Sequence, residues 1–162
     1  MLVVLCAEIE EAQKIKCSRA LTVITGAGMC NALKIAGLHL SPNDTIINVG
    51  YVGSNKYSIG SVVAVDGCKR FVPSITMPEP TIRFAPIFRL PESDLCYTAD
   101  NFIEGEFDKE LPLVDMELYY YASIYPQIKS IKIVSDNLNY SDYTNVNFEE
   151  SWDFVNEIIN NL

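Results

Sequence analysis

Three acidic residues stand where a chain of this kind could do chemistry. Glu11 lies just beyond the first apolar run and Asp136 directly after the last. Glu117 closes Val114-Asp115-Met116-Glu117, which ends an apolar run and opens Leu118-Tyr119-Tyr120-Tyr121-Ala122. Carboxylates accept hydrogen bonds from hydroxyls and water, and they exchange protons when burial shifts their pKa. A strand-like approach and a helix-like continuation put Glu117 on a strand-to-helix junction, where open α/β sheets meet their ligands. If the strands that carry them are parallel neighbours, the three carboxylates converge at one edge of a sheet. Each also has a plain structural reading. Glu11 suits the first turn of a helix, and Asp136 suits an N-cap or an Asx turn.

The elements that must position these residues follow from hydrophobic periodicity. Leu2 to Ala7 is a short continuous apolar run, suited to a strand buried on both faces. Glu8 to Cys17 reads as a helix with Ile9, Ala12 and Ile15 on one side. Leu21 to Thr25 is a second buried strand, Met29 to Ala36 a helix, and Thr45 to Val49 a third strand running into Gly50-Tyr51-Val52-Gly53. This β-α-β-α-β order predicts a parallel sheet covered by helices. Further strands are expected at Val62 to Asp66, Leu95 to Thr98 and Ile128 to Val134, with a short edge strand at Ala85 to Leu90. Five of the eight prolines fall between residues 71 and 91, which marks loop or edge structure because proline cannot donate to a ladder. Glu104 to Glu110 reads as a solvated loop or weak helix. Glu117 to Tyr125 reads as a helix, and Asn147 to Leu162 as an amphipathic one with Phe148, Trp152, Val155 and Ile159 facing inward.

Composition narrows the classes. At 162 residues, 49% hydrophobic and 20% charged, the chain is one soluble domain, 1–162, long enough for a proper core. The net charge of -9 opposes a nucleic-acid partner or an anionic membrane. Cys6, Cys17, Cys30, Cys68 and Cys96 show no metal-site spacing, and His39 is the only histidine, so no metal and no cofactor is expected. Free thiols, no secretory signal and no ~20-residue apolar span point to the cytoplasm. Gly26-x-Gly28 follows a strand and precedes a helix, but Asn31 stands where a dinucleotide fingerprint needs its third glycine. It fits a phosphate or ribose loop and a ligand-free tight turn equally. The tyrosines at 119 to 121 point to different sides of a helix and read as core and interface.

Six stretches together resemble one family. Ala7-Glu8-Ile9-Glu10-Glu11, Thr25-Gly26-Ala27-Gly28, Asn48-Val49-Gly50-Tyr51-Val52-Gly53, Ala99-Asp100-Asn101-Phe102-Ile103, and the pair Val114 to Glu117 with Val134-Ser135-Asp136 stand in the order seen in the nucleoside phosphorylase and nucleosidase superfamily. The sequence is most similar to the 5'-methylthioadenosine/S-adenosylhomocysteine nucleosidases. The resemblance implies a three-layer α/β/α domain with a central, mostly parallel mixed sheet. It implies that Glu117 binds the ribose 2'- and 3'-hydroxyls with Met116 against the sugar. Phe102 would stack on the purine and the backbone of Ile103 would read its edge. Asp136, oriented by Ser135, would donate to purine N7, and Glu11 would hold and deprotonate the attacking water. It also implies a homo-oligomer.

The chain departs from the family in specific places. It is shorter, lacks room for a β-hairpin before Leu21, and carries its proline-rich stretch where the family has a longer insert. Beside Gly50, Tyr51 replaces a serine, and Lys132 replaces an arginine; both positions help hold the water or anion near the sugar. Lysine keeps the charge without the planar fork. With no arginine in a recognised motif and Glu11 available as a base, hydrolysis of a purine nucleoside is expected first. Phosphorolysis comes second, and an inactive nucleoside-binding or assembly protein third.

Overall fold

In the computed structural model, which describes all residues except 73–79, 88–89 and 144–146, the alternation of side chains along the first strand already sets out the layers. In β1 (Leu2–Cys6), Val3 and Leu5 enter one apolar cluster and Val4 and Cys6 another. A strand covered on both faces explains a run with no polar interruption. The first cluster is completed by α2 (Met29–His39) and α3 (Leu118–Ile124), through Ala32, Ala36, Leu118 and Tyr121. The second is completed by α1 (Ile9–Lys14) and α5 (Glu149–Asn160), through Ala12, Phe148, Trp152, Val155 and Ile159. The structure is therefore helix–sheet–helix, as expected.

The sheet holds β2 (Ala20–Ile24), β1, β3 (Thr45–Gly53), β8 (Lys129–Asp136), β4 (Val62–Arg70), β5 (Ile82–Arg83), β6 (Ser93–Thr98) and β7 (Leu113–Asp115). Between β7 and β8 lies α3, and the one-turn α4 (Tyr140–Tyr143) follows β8. The pairs β1/β2, β1/β3, β3/β8, β4/β6 and β6/β7 are parallel. The pairs β3/β7, β4/β5 and β4/β8 are antiparallel. The sheet is thus mixed and mostly parallel, and it also curls: β3, β8, β4, β6 and β7 pair in a closed ring, with Gly53 of β3 opposite Val114 of β7.

Several boundaries differ from expectation, each for a visible reason. The first helix stops at Lys14 because α5 captures the chain beyond it. Asn156 accepts from Lys16 N at 2.6 Å and donates to Lys14 O at 2.8 Å. Ile9, expected on its inner side, is 59% exposed. The second strand is the sheet's edge, pairing among the described residues with β1 alone, so Leu21 and Ile24 are exposed rather than buried. Strand β4 passes through Gly67 to Arg70 on a bulge; a Cβ there would lie 2.8 Å from Ile82 O, so glycine permits β5 to dock. The expected strand over 85–90 falls partly outside the described residues, and the strand found in that region is Ile82–Arg83. Residues 104–110 form no helix. Cys6, Cys17, Cys68 and Cys96 are buried free thiols, and Cys30 is exposed.

Candidate active site

The carboxyl ends of β1, β3 and β8 open on one side of the sheet, and the chain leaving β6 and β7 folds over them. Between them lies a cavity of about 230 Å³. It is lined by Glu11, Tyr51, Phe102, Ile103, Met116, Glu117, Ser135 and Asp136 among the expected residues. The convergence does not arise from parallel neighbours alone. Glu11 and Asp136 follow the parallel strands β1 and β8, whereas Glu117 arrives on β7, which runs antiparallel to β3.

Glu11 is 4% exposed and held by main-chain donors. Its Oε2 accepts from Ala7 N (2.9 Å) and Glu8 N (3.1 Å), and its Oε1 from Tyr51 N (2.9 Å). Gly50 lies beneath it: a Cβ there would stand 2.9 Å from Oε1, so the carboxylate rests directly over the β3 backbone. Burial raises its pKa, while the amides of Tyr51 and Glu8 oppose that shift.

Glu117 caps the start of α3 and accepts from Gly28 N at 2.7 Å. This contact gives the Gly26-x-Gly28 turn its role, since Gly26 and Gly28 sit at φ +82° and +87° and so aim an amide at the carboxylate. Burial, reinforced by the negative charge of Asp115, pushes the Glu117 pKa up to about 7. Asp136 accepts from Ser135 Oγ (2.8 Å) and, in an Asx turn, from Leu138 N (3.0 Å). Here too a glycine lies beneath the carboxylate, because a Cβ on Gly53 would meet Asp136 Oδ1 at 2.8 Å. Burial raises the Asp136 pKa against the hydrogen bonds from Ser135 and Leu138.

Phe102 and Ile103 lie on the loop leaving β6. That loop is pinned at Asp100, which accepts from Tyr120 Oη and from Arg70 Nη2 (3.0 Å), and at Gly105, which donates to Leu138 O (3.1 Å). Phe102 is 41% exposed and meets Tyr140 edge to face, ring centroids 5.4 Å apart. Tyr51 is fixed from behind: Trp152 Nε1 donates to its hydroxyl at 2.8 Å, and Phe148 packs against its ring at a tilt, centroids 5.0 Å apart. Two expected residues do not line the cavity. Gly50 is under Glu11, and Lys132 is fully buried with its ammonium 2.8 Å from Asp115 Oδ2. Burial pulls the Lys132 pKa down, but the surrounding groups, Asp115 foremost with Cys96 and Glu117, together outweigh it and leave the pKa raised.

Sequence reasoning missed Glu8, Asn101, Asp115, Leu138 and Tyr140 as lining residues. Asp115 was legible as the acid bracketing Met116. The others carry no signal beyond adjacency to Glu11, Phe102 and Asp136. The lining includes five carboxylates, those of Glu8, Glu11, Asp115, Glu117 and Asp136, and no lysine or arginine among the described residues. No group of three or more His, Cys, Asp or Glu is placed to hold a metal among the described residues. No helix there is long and apolar enough to cross a membrane.

No protein-family model and no curated protein matches the sequence. Solved structures do match its fold. The Chlamydia trachomatis MTAN superposes with a TM-score of 0.76 at 19% identity, covering 98% of this chain and 94% of that one. The 5'-methylthioadenosine/S-adenosylhomocysteine nucleosidase of Helicobacter pylori, in complex with butyl-thio-DADMe-Immucillin-A, gives 0.77 at 12% identity, with 99% and 98% covered. The futalosine hydrolase of the same organism gives 0.78 at 12% identity, with 99% and 97% covered. With its ring of β-strands and its helical layers, the chain shares the fold of these solved nucleosidase and hydrolase structures.

Proposed function

We propose that the protein is a purine nucleosidase that hydrolyses the N-glycosidic bond of a nucleoside such as methylthioadenosine. The observation that carries this reading is the cavity's charge: several carboxylates line it and no described cation does. Phosphorolysis requires a bound phosphate, for which arginine or lysine donors are the usual partners. Water needs only a base and acceptors, which this cavity supplies. Two of the matched structures hold ligands of the right class, the C. trachomatis MTAN with MTA and the H. pylori nucleosidase with an immucillin.

In this mechanism the purine lies against Phe102 and Ile103, and the ribose hydroxyls donate to Glu117. Cleavage builds positive charge on the sugar and negative charge on the departing base. Ionised Glu117 favours the first, and a proton passed from Asp136 to N7 relieves the second. The raised pKa of Asp136 suits it to carry that proton. Glu11, oriented by three main-chain donors, takes a proton from water as the oxygen bonds to C1'. The proton gained at Glu11 balances the one lost from Asp136. Lys132 lies behind this surface, bonded to the lining Asp115, and stabilises the negatively charged wall rather than touching the substrate. The same reading expects a homo-oligomer, which sedimentation would test.

The experiment is base release from methylthioadenosine, adenosine and inosine with and without phosphate. Release without phosphate is the expected result, and strict phosphate dependence would overturn the assignment. Asp136→Asn should lower kcat by about 10²–10⁴-fold, the usual contribution of a positioned proton donor, while leaving ligand binding measurable by calorimetry.

A further inference from the structure

We infer that Tyr140 is a second aromatic contact for the substrate's base, set nearly perpendicular to Phe102 at the corner of the cavity where that base lies. The inference rests on the nucleoside reading above and adds a base-binding residue to it.

Phe102 and Tyr140 both line the cavity, and each leaves much of its surface uncovered, 41% and 57%. They are in contact, with ring centroids 5.4 Å apart and ring planes at 84°. In the mechanism above the base touches the protein at two main points, the Phe102 ring and the Asp136 carboxyl. Residues 136–140 join those points: the segment starts at Asp136, where β8 ends, and finishes with the Tyr140 ring against Phe102. A base held at both points therefore has Tyr140 beside it. A purine stacked flat on Phe102 lies nearly perpendicular to Tyr140, because the two side-chain planes do. Tyr140 then meets the base edge to face, an arrangement that aromatic quadrupoles favour. One ring stacks on the base and the other closes its side.

The turn that carries Tyr140 is held along its length. Asn137 Nδ2 donates to Ser54 O (2.7 Å) and Tyr57 O (2.9 Å). Leu138, at φ +62°, is the only described non-glycine residue in the left-handed region, a conformation that a leucine keeps only with support from its surroundings. That support comes from Asp136 Oδ1, which accepts from Leu138 N (3.0 Å), and from Gly105 N, which donates to Leu138 O (3.1 Å). The Leu138 side chain is buried in the small apolar cluster that Ile103 joins. Tyr140 N in turn donates to Glu104 Oε1 (3.2 Å). The bonds from Gly105 and to Glu104 tie the turn to the Phe102 loop, so the place of Tyr140 beside Phe102 is set before a ligand arrives. A contact organised in advance loses little to ordering on binding.

The test measures adenine binding by calorimetry and methylthioadenosine cleavage by base release. Tyr140→Ala should weaken adenine binding by about tenfold, the scale of one aromatic contact to a base. KM for methylthioadenosine should rise by a similar factor with kcat changed by less than about threefold, since a contact to the base is present before and during cleavage. Tyr140→Phe keeps the ring and should recover most of the loss. In Phe102→Leu protein, Tyr140→Ala should again weaken adenine binding, by at least about threefold. Tyr140 is more than half exposed, so a urea midpoint shared by parent and Tyr140→Ala separates lost binding from lost fold. Three results overturn the inference and leave the nucleosidase reading standing: an effect under about twofold in the parent, a Tyr140→Phe variant as weak as Tyr140→Ala, or an effect that vanishes in the Phe102→Leu protein. The last would mean that Tyr140 acts only by propping Phe102. If the parent binds adenine without releasing base, the nucleosidase reading falls and the inference is still read from adenine affinity. If it binds neither ligand, both fall.

Discussion

Asp115 and Glu117 are separated by one residue and are 5% and 7% exposed, yet the fold treats their charges in opposite ways. Asp115 is fully partnered. It accepts from Thr98 Oγ1 at 2.6 Å, Leu118 N at 3.0 Å and Lys132 Nζ at 2.8 Å. Glu117 has one strong main-chain donor, Gly28 N, and no bonded cation among the described residues. A buried carboxylate with a bonded ammonium has its charge compensated and serves as structure. A buried carboxylate without one is held part-way to protonation, which is the condition of a group kept for a ligand. The difference between the two is therefore a difference between support and site.

Removing the cation should break this contrast most severely. Lys132→Met leaves Asp115 buried with its charge uncompensated, and loss of one partner of such a pair costs about 3–5 kcal/mol. Urea unfolding at pH 7 would read this as a fall in midpoint at unchanged slope. A cost under about 1 kcal/mol would show that the pair contributes no more than a surface ion pair.

Glu117→Gln should do the reverse. The folded pKa is raised to about 7 from 4.5, so the folded protein binds a proton that the unfolded chain releases. Between roughly pH 4.5 and 7, stability falls as pH rises, and above 7 the whole penalty is present. The glutamine variant should then be more stable than the parent by on the order of 2–3 kcal/mol at pH 8, with the gain vanishing near pH 4. In the same variant, affinity for a ribose ligand should fall. Stability gained as binding is lost marks a site held at a stability cost. In the parent, kcat/KM should decline below about pH 7 as Glu117 takes up its proton.

The smallest expected effect sharpens the comparison at the other end of the cavity. Ser135→Ala removes the 2.8 Å bond to Asp136 Oδ2, at a cost of about 1 kcal/mol in stability. That bond holds the Asp136 pKa down against burial, so its loss should raise the pKa further. The alkaline limb of the pH–rate profile, where Asp136 gives up its proton, should move to higher pH. An unmoved limb would separate Ser135 from the proton donor.

Much of this arrangement is legible in the sequence because it depends on local rules. The apolar runs at 2–7, 45–49 and 128–134 are buried strands, since such runs are only stable when covered on both faces. Phe148, Trp152, Val155 and Ile159 do line the inner face of α5. The misreadings come where distant residues intervene. Nothing near Lys14 announces that Asn156, far along the chain, ends the first helix by taking its main-chain groups. Nothing in Leu21 to Thr25 says that this apolar run lies at the sheet's edge. Tyr51 reads as a bulky replacement; only the fold shows its hydroxyl and ring secured by Trp152 and Phe148.

The sequence by itself determined the layer order, the inward faces and the set of acids available for chemistry, because periodicity and residue type act over a few neighbouring positions. Tertiary structure alone decided which of those acids became a site. Closing β3, β8, β4, β6 and β7 into a ring brings Lys132 under Asp115 and leaves Glu11, Glu117 and Asp136 facing the cavity. Charge compensation is a matter of ångströms between strands far apart in the chain, and no local pattern encodes that distance.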